Sequence, residues 1–319
     1  MKKMKLKGFR EIGVLIVLVV IMIALSIASP VFLRFNNIIN IIRQTVEIGI
    51  MAIGMSFLIV SGEMDLSVGS IFGCTAMFAA ILFKNNVDPT IVFFLALIAG
   101  AAIGSVNGFL VTKAKMPAFI VTLGTMQIFR SIAYQISGGK SVSVFPDAAL
   151  ESWVFKMGGS IGMIPTQVII MLILFLFAHI AMKKTRFGYE IYATGGNRRA
   201  ADLAGIATGR IKLTCFMITG ALCALAGLIS ISYLQSVPTT AGAGREMDVI
   251  AAVILGGASL NGGRGTILGT LLGALIMSIV KNGMVLLKVP VFWQTGFIGV
   301  IIILAVLLDT AIGSKNKQR

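Results

Sequence analysis

The chain has 319 residues, of which 57% are hydrophobic and only 12% charged, and its mean hydropathy is +0.97. Soluble domains carry about 25% charged residues, so too few polar side chains are present to cover a water-facing globule, which excludes a soluble enzyme or binding module. The net charge of +15 does not indicate nucleic acid, since no segment interleaves basic with aromatic residues as a nucleic-acid-binding groove does. We predict an all-α integral membrane protein.

Ten apolar segments follow one another along the chain. Lipid does not tolerate unpaired backbone groups, and runs that are continuous rather than alternating predict helices. The first segment follows a lysine-rich N-terminus and resembles a signal peptide, with Ser26-Ile27-Ala28 as a candidate cleavage site. Because this run is long and Pro30 follows closely, we favour an uncleaved first span. The predicted spans are residues 12–28, 46–61, 66–83, 90–111, 119–136, 167–182, 213–233, 249–260, 266–287 and 291–309.

The distribution of Lys and Arg predicts the orientation, because cytoplasmic loops are enriched in both. With the N-terminus inside, the cytoplasmic side receives the N-terminal cluster and Lys113, Lys115, Lys183, Lys184, Arg186, Arg198, Arg199, Arg210, Lys212, Arg264, Lys315, Lys317 and Arg319. The outer side receives only Arg34, Arg43, Lys84, Lys140, Lys156, Arg245 and Lys288. We therefore predict cytoplasmic termini, a cytoplasmic loop 183–212 and an outer loop 137–166.

The chain is predicted to be one domain over residues 1–319 with two repeated halves, roughly 46–136 and 213–309. The tripeptide Glu-Met-Asp at 63–65 recurs at 246–248, and Lys-Met-Pro at 115–117 recurs as Lys-Val-Pro at 288–290. In both halves, glycines at every fourth position lie in the apolar segment that precedes the Lys-x-Pro motif. The two prolines fall on opposite sides of the predicted membrane, so the repeats are inverted, as in many transporters. Chance similarity between apolar segments is the alternative.

Intramembrane acids mark the candidate translocation and broken-helix residues, because charges are costly in lipid and are usually functional there. These residues are Asp65, Ser67, Glu246 and Asp248. Asp65 with Ser67 is typical of a helix N-cap, so a structural cap and direct substrate contact are both open. Arg245 is expected to form an ion pair with one of the two acids that follow it. No acid is predicted deep within a span, which disfavours proton coupling.

The sequence offers no catalytic constellation. It has no phosphate-binding G-x-x-x-x-G-K-[ST] loop, no G-x-S-x-G elbow and one histidine, His179. Cys74, Cys215 and Cys223 lie in apolar runs, which predicts neither disulfides nor a metal site. We therefore expect a protein that is not an enzyme and binds no cofactor or metal itself.

The loop 183–212 contains a short predicted helix. Asn197 follows Gly195 and Gly196 and is a good N-cap, while Gly205 can end the helix. Its side chains are small, so it can fit a groove on a partner, although a simple interfacial brace is the alternative. The residues that could make this partner contact are Gly195, Gly196, Asn197, Ala200, Ala201, Ala204, Gly205 and Ile206.

Three motifs together resemble the permeases of ABC importers for ribose, xylose, arabinose and galactose. They are residues 64–70 (Met-Asp-Leu-Ser-Val-Gly-Ser), the loop 195–206 and residues 255–266 (Leu-Gly-Gly-Ala-Ser-Leu-Asn-Gly-Gly-Arg-Gly-Thr). The resemblance runs from about residue 30 to 310. One departure is that Glu63 and Met64 precede Asp65 where the family often has Gly-Ile/Leu, which leaves a role for Glu63 open.

The resemblance implies a ten-span subunit in the bacterial inner membrane that pairs with a second permease copy, the same or different. It implies a cytoplasmic ATPase that binds ATP and Mg²⁺, and a periplasmic or lipid-anchored sugar-binding protein. The loop 195–206 would be the coupling helix that docks on the ATPase. The alternatives are a sister permease for autoinducer-2 or a nucleoside, an ion-coupled secondary transporter and a membrane enzyme.

Overall fold

The computed structural model describes the backbone of residues 5–317 and the side chains of residues 11–307, except Val291 and Ala305. The predicted cytoplasmic side chains of residues 2–7 and 315–319 lie outside this set. The helices are α1 Lys5–Ala28, α2 Phe35–Val60, α3 Val68–Lys84, α4 Pro89–Thr112, α5 Ala118–Ser137, α6 Asp147–Leu150, α7 Trp153–Lys156, α8 Thr166–Lys184, α9 Arg186–Gly196, α10 Arg198–Leu203, α11 Thr208–Leu234, α12 Arg245–Leu255, α13 Ile267–Leu286 and α14 Val291–Lys317.

Two small antiparallel strand pairs complete the secondary structure of the described residues. The strands are β1 Val142–Ser143, β2 Ser160–Ile161, β3 Ile164–Pro165 and β4 Ser236–Val237. Strand β1 pairs with β4, with Val142 opposite Val237, and β2 pairs with β3, with Ser160 opposite Pro165. Both pairs involve the segment between α5 and α8, which also contains α6 and α7. Phe145 and Phe155 from this segment pack edge-on against Phe83 of α3.

Each of the ten predicted spans falls on a helix, and within the residues whose side chains are described six of these helices are long and apolar enough to cross a membrane. The six are α1 over residues 11–28, α2, α4, α8, α11 and α13. The remaining predicted spans stay predictions; α3 has 17 residues and α12 only 11. The chain is therefore a mostly helical, multi-pass protein, in agreement with the predicted all-α class.

Two boundaries differ from the prediction. Helix α2 begins at Phe35, well before residue 46, because its polar side chains find partners inside the bundle; Asn37 Nδ2 donates to Asn282 Oδ1 at 3.0 Å. Helix α12 ends at Leu255 rather than residue 260, because Gly257 has a φ of +88°, a conformation that glycine adopts without steric cost.

The core is built around three central helices. In the most apolar window of each helix, 78% of residues are buried in α2, 67% in α13 and 61% in α11, but only 6% in α1 and 22% in α4. Large apolar side chains are exposed along α1, α4, α8 and α14. Helices α2, α11 and α13 therefore form the interior of the bundle, and the exposed apolar side chains lie on its outer surface.

The central helices pack in a crossed arrangement between the two halves. Helix α11 packs against α3 and α4, whereas α2 packs against α12 and α13. Glycines allow close backbone approach in both groups. A Cβ added at Gly104 of α4 would lie 2.2 Å from the Phe216 carbonyl oxygen of α11. One added at Gly273 of α13 would lie 1.9 Å from the Ala252 carbonyl oxygen of α12.

Candidate functional site

The three sequence motifs meet at one end of the bundle. The α2–α3 turn, the C-terminal end of α9 and the loop between α12 and α13 contact one another through glycines 62, 195, 262 and 263, which we call the glycine junction. Gly263 N donates to the Val60 carbonyl oxygen at 2.8 Å. A Cβ added at Gly195 would lie 1.8 Å from the same oxygen and 2.7 Å from Gly263 N. The junction therefore joins the loop 183–212 directly to the end of the central helix α2.

Tyr192 adds a polar contact to the junction from α9. Its hydroxyl donates to the Gly265 carbonyl oxygen at 2.6 Å. Burial raises the pKa of this phenol, and the nearby Glu11 carboxylate raises the pKa further. The hydroxyl consequently keeps its proton and remains a donor to the 256–266 loop. Thr266 Oγ1 in turn donates to Glu11 Oε1 at 2.8 Å, which connects the loop to α1.

The acidic turn between α2 and α3 is a buried polar cluster. Asp65 Oδ1 accepts from Ser67 N at 2.7 Å and from Ser67 Oγ at 2.5 Å. Asn107 Nδ2 of α4 donates to Ser67 Oγ at 2.8 Å and to Asp65 Oδ2 at 3.3 Å. All three side chains are fully buried. Asp65 thus accepts from the amide of Ser67, the residue before α3, whereas the Ser67 hydroxyl donates to Asp65 and caps no amide of the helix. Asn107 had no signal in the sequence.

Glu63, whose role the sequence left open, forms an ion pair with Lys212. The Lys212 Nζ to Glu63 Oε1 distance is 2.6 Å, and Lys212 is only 6% exposed. Lys212 lies in the first turns of α11, at the end of the loop 183–212. The pair therefore connects the α2–α3 turn to the helix that follows α10. Nothing in the sequence pairs these residues, which are 149 positions apart.

The predicted loop helix is present as α10. Asn197 Oδ1 accepts from Ala200 N at 3.0 Å, and Gly205, with a φ of +81°, follows the helix. These observations confirm the predicted N-cap and the end of the helix. Gly195 and Gly196, expected in a loop, are instead the last residues of α9, a polar amphipathic helix that the apolar pattern did not predict.

The exposed side of α10 differs from the expected display of small side chains. Ala201 is only 4% exposed and faces the rest of the chain. Leu203 is 85% exposed, and Ala200, Ala204 and Gly205 are exposed beside it. Ile206 is half-buried, and its N–H donates to the Ala201 carbonyl oxygen at 3.0 Å. The exposed surface of the helix therefore combines a leucine beside small residues with the charged side chains of Arg198, Arg199 and Asp202.

The second pair of predicted acids lies at the opposite end of the bundle, in the first turn of α12. The expected ion pair between Arg245 and a following acid is wrong, because Arg245 points to α2 and pairs with Glu47 Oε2 at 2.6 Å. Asp248 is 2% exposed and pairs with Lys281 of α13. This pair is held between two helices at that end of the bundle, and the expectation that no acid lies deep within a span stays a prediction. Glu246 Oε2 is buried and unpartnered among the described residues.

Among residues 11–307, no three His, Cys, Asp or Glu side chains come together as a metal site would require. Cys74, Cys215 and Cys223 are free and buried within their helices. Among the described residues, buried polar pairs and glycine contacts connect several helices, and some of them reach the loop 183–212.

Comparison with known proteins agrees with this arrangement. Residues 37–306 match the family model described as branched-chain amino acid transport system / permease component. The chain is 43% identical over 297 residues to the ribose import permease protein of Escherichia coli (strain K12), with 92% of each chain covered. It is 41% identical to the ribose import permease protein of Bacillus subtilis (strain 168), covering 94% of this chain and 92% of the relative.

A third relative is the xylose transport system permease protein of Escherichia coli (strain K12), 34% identical with 95% of this chain and 94% of the relative covered. No solved structure matches the chain. The apolar helices and these similarities place the chain among multi-pass proteins of the bacterial inner membrane. The chain belongs to the permease family of ABC importers that includes the ribose and xylose permeases.

Proposed function

We propose that this chain is the membrane-spanning subunit of an ABC importer that moves a monosaccharide, a ribose-like pentose or a related sugar, into the cytoplasm. The observation that carries the proposal is the 43% identity to a ribose import permease along 92% of both chains. ATP and Mg²⁺ bind to a separate ATPase subunit, and hydrolysis there drives transport. A periplasmic or lipid-anchored binding protein delivers the sugar. Autoinducer-2 and a nucleoside are the alternative cargoes.

The proposed assembly contains two permease copies, most simply a homodimer, each with ten spans and cytoplasmic termini. The crossed packing of α2 with α12 and α13, and of α11 with α3 and α4, supports the inverted repeat. So do the two equivalent loops before α5 and α14, where Lys115 and Lys288 each have a φ of +56° two residues before proline. A matching backbone at matching sequence positions is difficult to attribute to shared apolar composition.

We further propose that α10 is the coupling helix. Its exposed Leu203, with Ala200 and Ala204 beside it, fits a groove on the ATPase, since a leucine among small residues is an apolar anchor. Movement of α10 reaches α9 directly and then the glycine junction, where Gly195 contacts Val60. It also reaches α11, whose Lys212 holds the α2–α3 turn through Glu63. Two contacts thus connect ATPase motion to the central helices α2 and α11.

The test is reconstitution of the permease in proteoliposomes with the ATPase and the binding protein of the same importer. Uptake is measured for labelled ribose, xylose, galactose, autoinducer-2 and a nucleoside, with ATP inside or outside the vesicles. We expect sugar uptake that requires both partners and ATP on the ATPase side. Uptake driven by an ion gradient without ATP would instead support a secondary transporter. ATP-driven uptake of a nucleoside or autoinducer-2 but of no sugar would contradict the proposed cargo.

A further inference from the structure

A polar cavity of about 560 Å³ lies at the end of the bundle opposite the glycine junction. Its walls come from α2, α8, α11, α12, α13 and α14. The lining residues are Asn40, Arg43, Gln44, Glu47, Ile48, Gln167, Tyr233, Leu234, Ala243, Arg245, Asp248, Ser278, Lys281, Val285 and Gln294. The volume falls in the range of about 300–1,000 Å³ that small-molecule sites occupy. Most of the lining is polar, although it belongs to helices of a membrane-embedded bundle.

Two ion pairs fix the walls of this polar cavity. Arg245 of α12 pairs with Glu47 of α2, and Lys281 of α13 pairs with Asp248 of α12. Charged side chains are rare within membrane bundles and are kept where they face a partner or a water-filled path. The pairs neutralise four of the five charges in the lining. The fifth, Arg43, stacks on the ring of Tyr233, with its guanidinium carbon 4.8 Å from the ring centroid.

Two buried donors in the lining have no partner among the described residues. They are the side-chain amide Nε2 of Gln167, a residue only 3% exposed, and the Nε of Arg43. An unpaired buried donor is destabilising, so such groups are rare without a reason. The neutral side chains of Gln44, Asn40 and Gln294 add further donors and acceptors to the same cavity. A ligand that both accepts and donates many hydrogen bonds would satisfy this lining.

We propose that the polar cavity binds a neutral polyhydroxylated sugar during its passage through this subunit. Each sugar hydroxyl both donates and accepts hydrogen bonds, so it can donate to carboxylates, accept from guanidinium groups and do either with side-chain amides. The internal ion pairs leave no cluster of unpaired cations for a phosphate, which favours an uncharged ligand. The inference rests on the proposed function, since it assigns a contact site to the cargo of that importer.

The first measurement is protection of a thiol in the full reconstituted importer. Cys74, Cys215 and Cys223 are replaced by Ala, and Gln44, an exposed residue of the lining, is replaced by Cys. Saturating ribose is expected to slow alkylation of Gln44→Cys, because the sugar would fill the cavity. The control is Gln135→Cys, an exposed glutamine of α5 outside the cavity, whose alkylation is expected to stay unchanged. Ribose 5-phosphate is the anionic probe and is expected to give no protection.

The second measurement is uptake by Gln167→Leu, with Gln135→Leu as its control. Loss of one hydrogen bond to the cargo is expected to raise the KM for delivered ribose about threefold to tenfold, while ATPase stimulation by the binding protein persists. The deciding result is protection. Unprotected Gln44→Cys, equal protection of Gln135→Cys, or equal protection by ribose 5-phosphate would each overturn the cavity site. A wild-type importer that takes up no sugar would instead contradict the proposed function itself.

Discussion

The buried carboxylate of Asp65 is the clearest test of a single residue. Asp65→Ala removes the acceptor for Ser67 N and for the amide of Asn107, so we expect a loss of about 1–3 kcal/mol in folding free energy. Asp65→Asn keeps an acceptor oxygen and should cost less. Thermal unfolding of the purified permease in detergent measures both.

Asp88→Ala is the matched control for that comparison. Asp88 caps α4 by accepting from Thr90 N and Ile91 N, but it is exposed, so water replaces the lost acceptor. We expect a smaller fall in the unfolding temperature than for Asp65→Ala. If Asp65→Ala and Asp65→Asn unfold like the wild type but both abolish uptake, the charge serves transport and the capping role is wrong.

Two adjacent glycines give a second comparison. Gly195→Ala would bring a Cβ within 1.8 Å of the Val60 carbonyl oxygen, whereas at Gly196 an added Cβ meets nothing within 4 Å. Backbone atoms must move to admit the first, so we expect a cost of about 1–3 kcal/mol and a marked fall in uptake. Gly196→Ala should be neutral or slightly stabilising, since alanine favours helix. Equal uptake by both variants would show that the junction tolerates a shift without loss of coupling.

The hydrogen-bond or ion-pair partner of a residue could be predicted when the two lie close together in the chain, and not when they lie far apart. Asp65 and Asn197 bond to atoms two and three residues away, and sequence patterns describe such local caps well. Lys281 and Glu47 were overlooked because each lies inside an apolar run and pairs with a residue on another helix. Those pairings depend on helix packing, which one sequence does not specify.

At the level of elements, α10 carries the proposed contact with the ATPase. Ala200→Trp adds a bulky ring beside Leu203 on the exposed surface, so we expect it to block docking and abolish uptake while membrane insertion stays normal. Arg198→Ala should retain most uptake, because the Arg198–Asp202 contact is 3.9 Å long and exposed, and such pairs contribute little. Co-purification of the ATPase with each variant, alongside uptake, is the measurement.

The buried position of Ala201 decides how that experiment is designed. Ala201→Trp would disrupt packing inside the chain, so its loss of activity would say nothing about docking. Ala200→Trp avoids this ambiguity. Full ATPase binding and normal uptake by Ala200→Trp would rule out α10 as the coupling element.

The sequence located the apolar segments, but it did not give the residues at which their helices begin and end. Hydrophobic runs identify stretches that belong in lipid, which is why all ten predicted spans fall on helices. The same criterion missed the first turns of α2, where Asn37 is satisfied by Asn282, and all of α9, which is polar and amphipathic. A hydropathy pattern does not reveal polar helical segments whose side chains form hydrogen bonds with other parts of the fold.

Over the whole molecule, two groups of basic residues lie at opposite ends of the bundle. Lys113, Arg198 and Arg210 line one depression at the glycine-junction end, and Lys115 lies beside it. Arg43 and Arg245 lie at the other end, in the polar cavity. The sequence assigned these two groups to opposite sides of the membrane, and the fold brings each group together. The division supports a cytoplasmic glycine junction, and labelling can test that orientation.

Thiol labelling in intact cells gives that test. In a background with the three buried cysteines replaced by Ala, Ser143→Cys reports on the segment between α5 and α8, and Ala200→Cys reports on α10; both positions are exposed. A reagent that does not cross the membrane should modify Ser143→Cys and spare Ala200→Cys, because cytoplasmic loops carry the excess of Lys and Arg. After the cells are opened, both should react, which shows that Ala200→Cys was shielded by the membrane and not by the fold. Labelling of Ala200→Cys in intact cells, with Ser143→Cys spared until they are opened, would reverse the orientation and place α10 beyond the reach of a cytoplasmic ATPase.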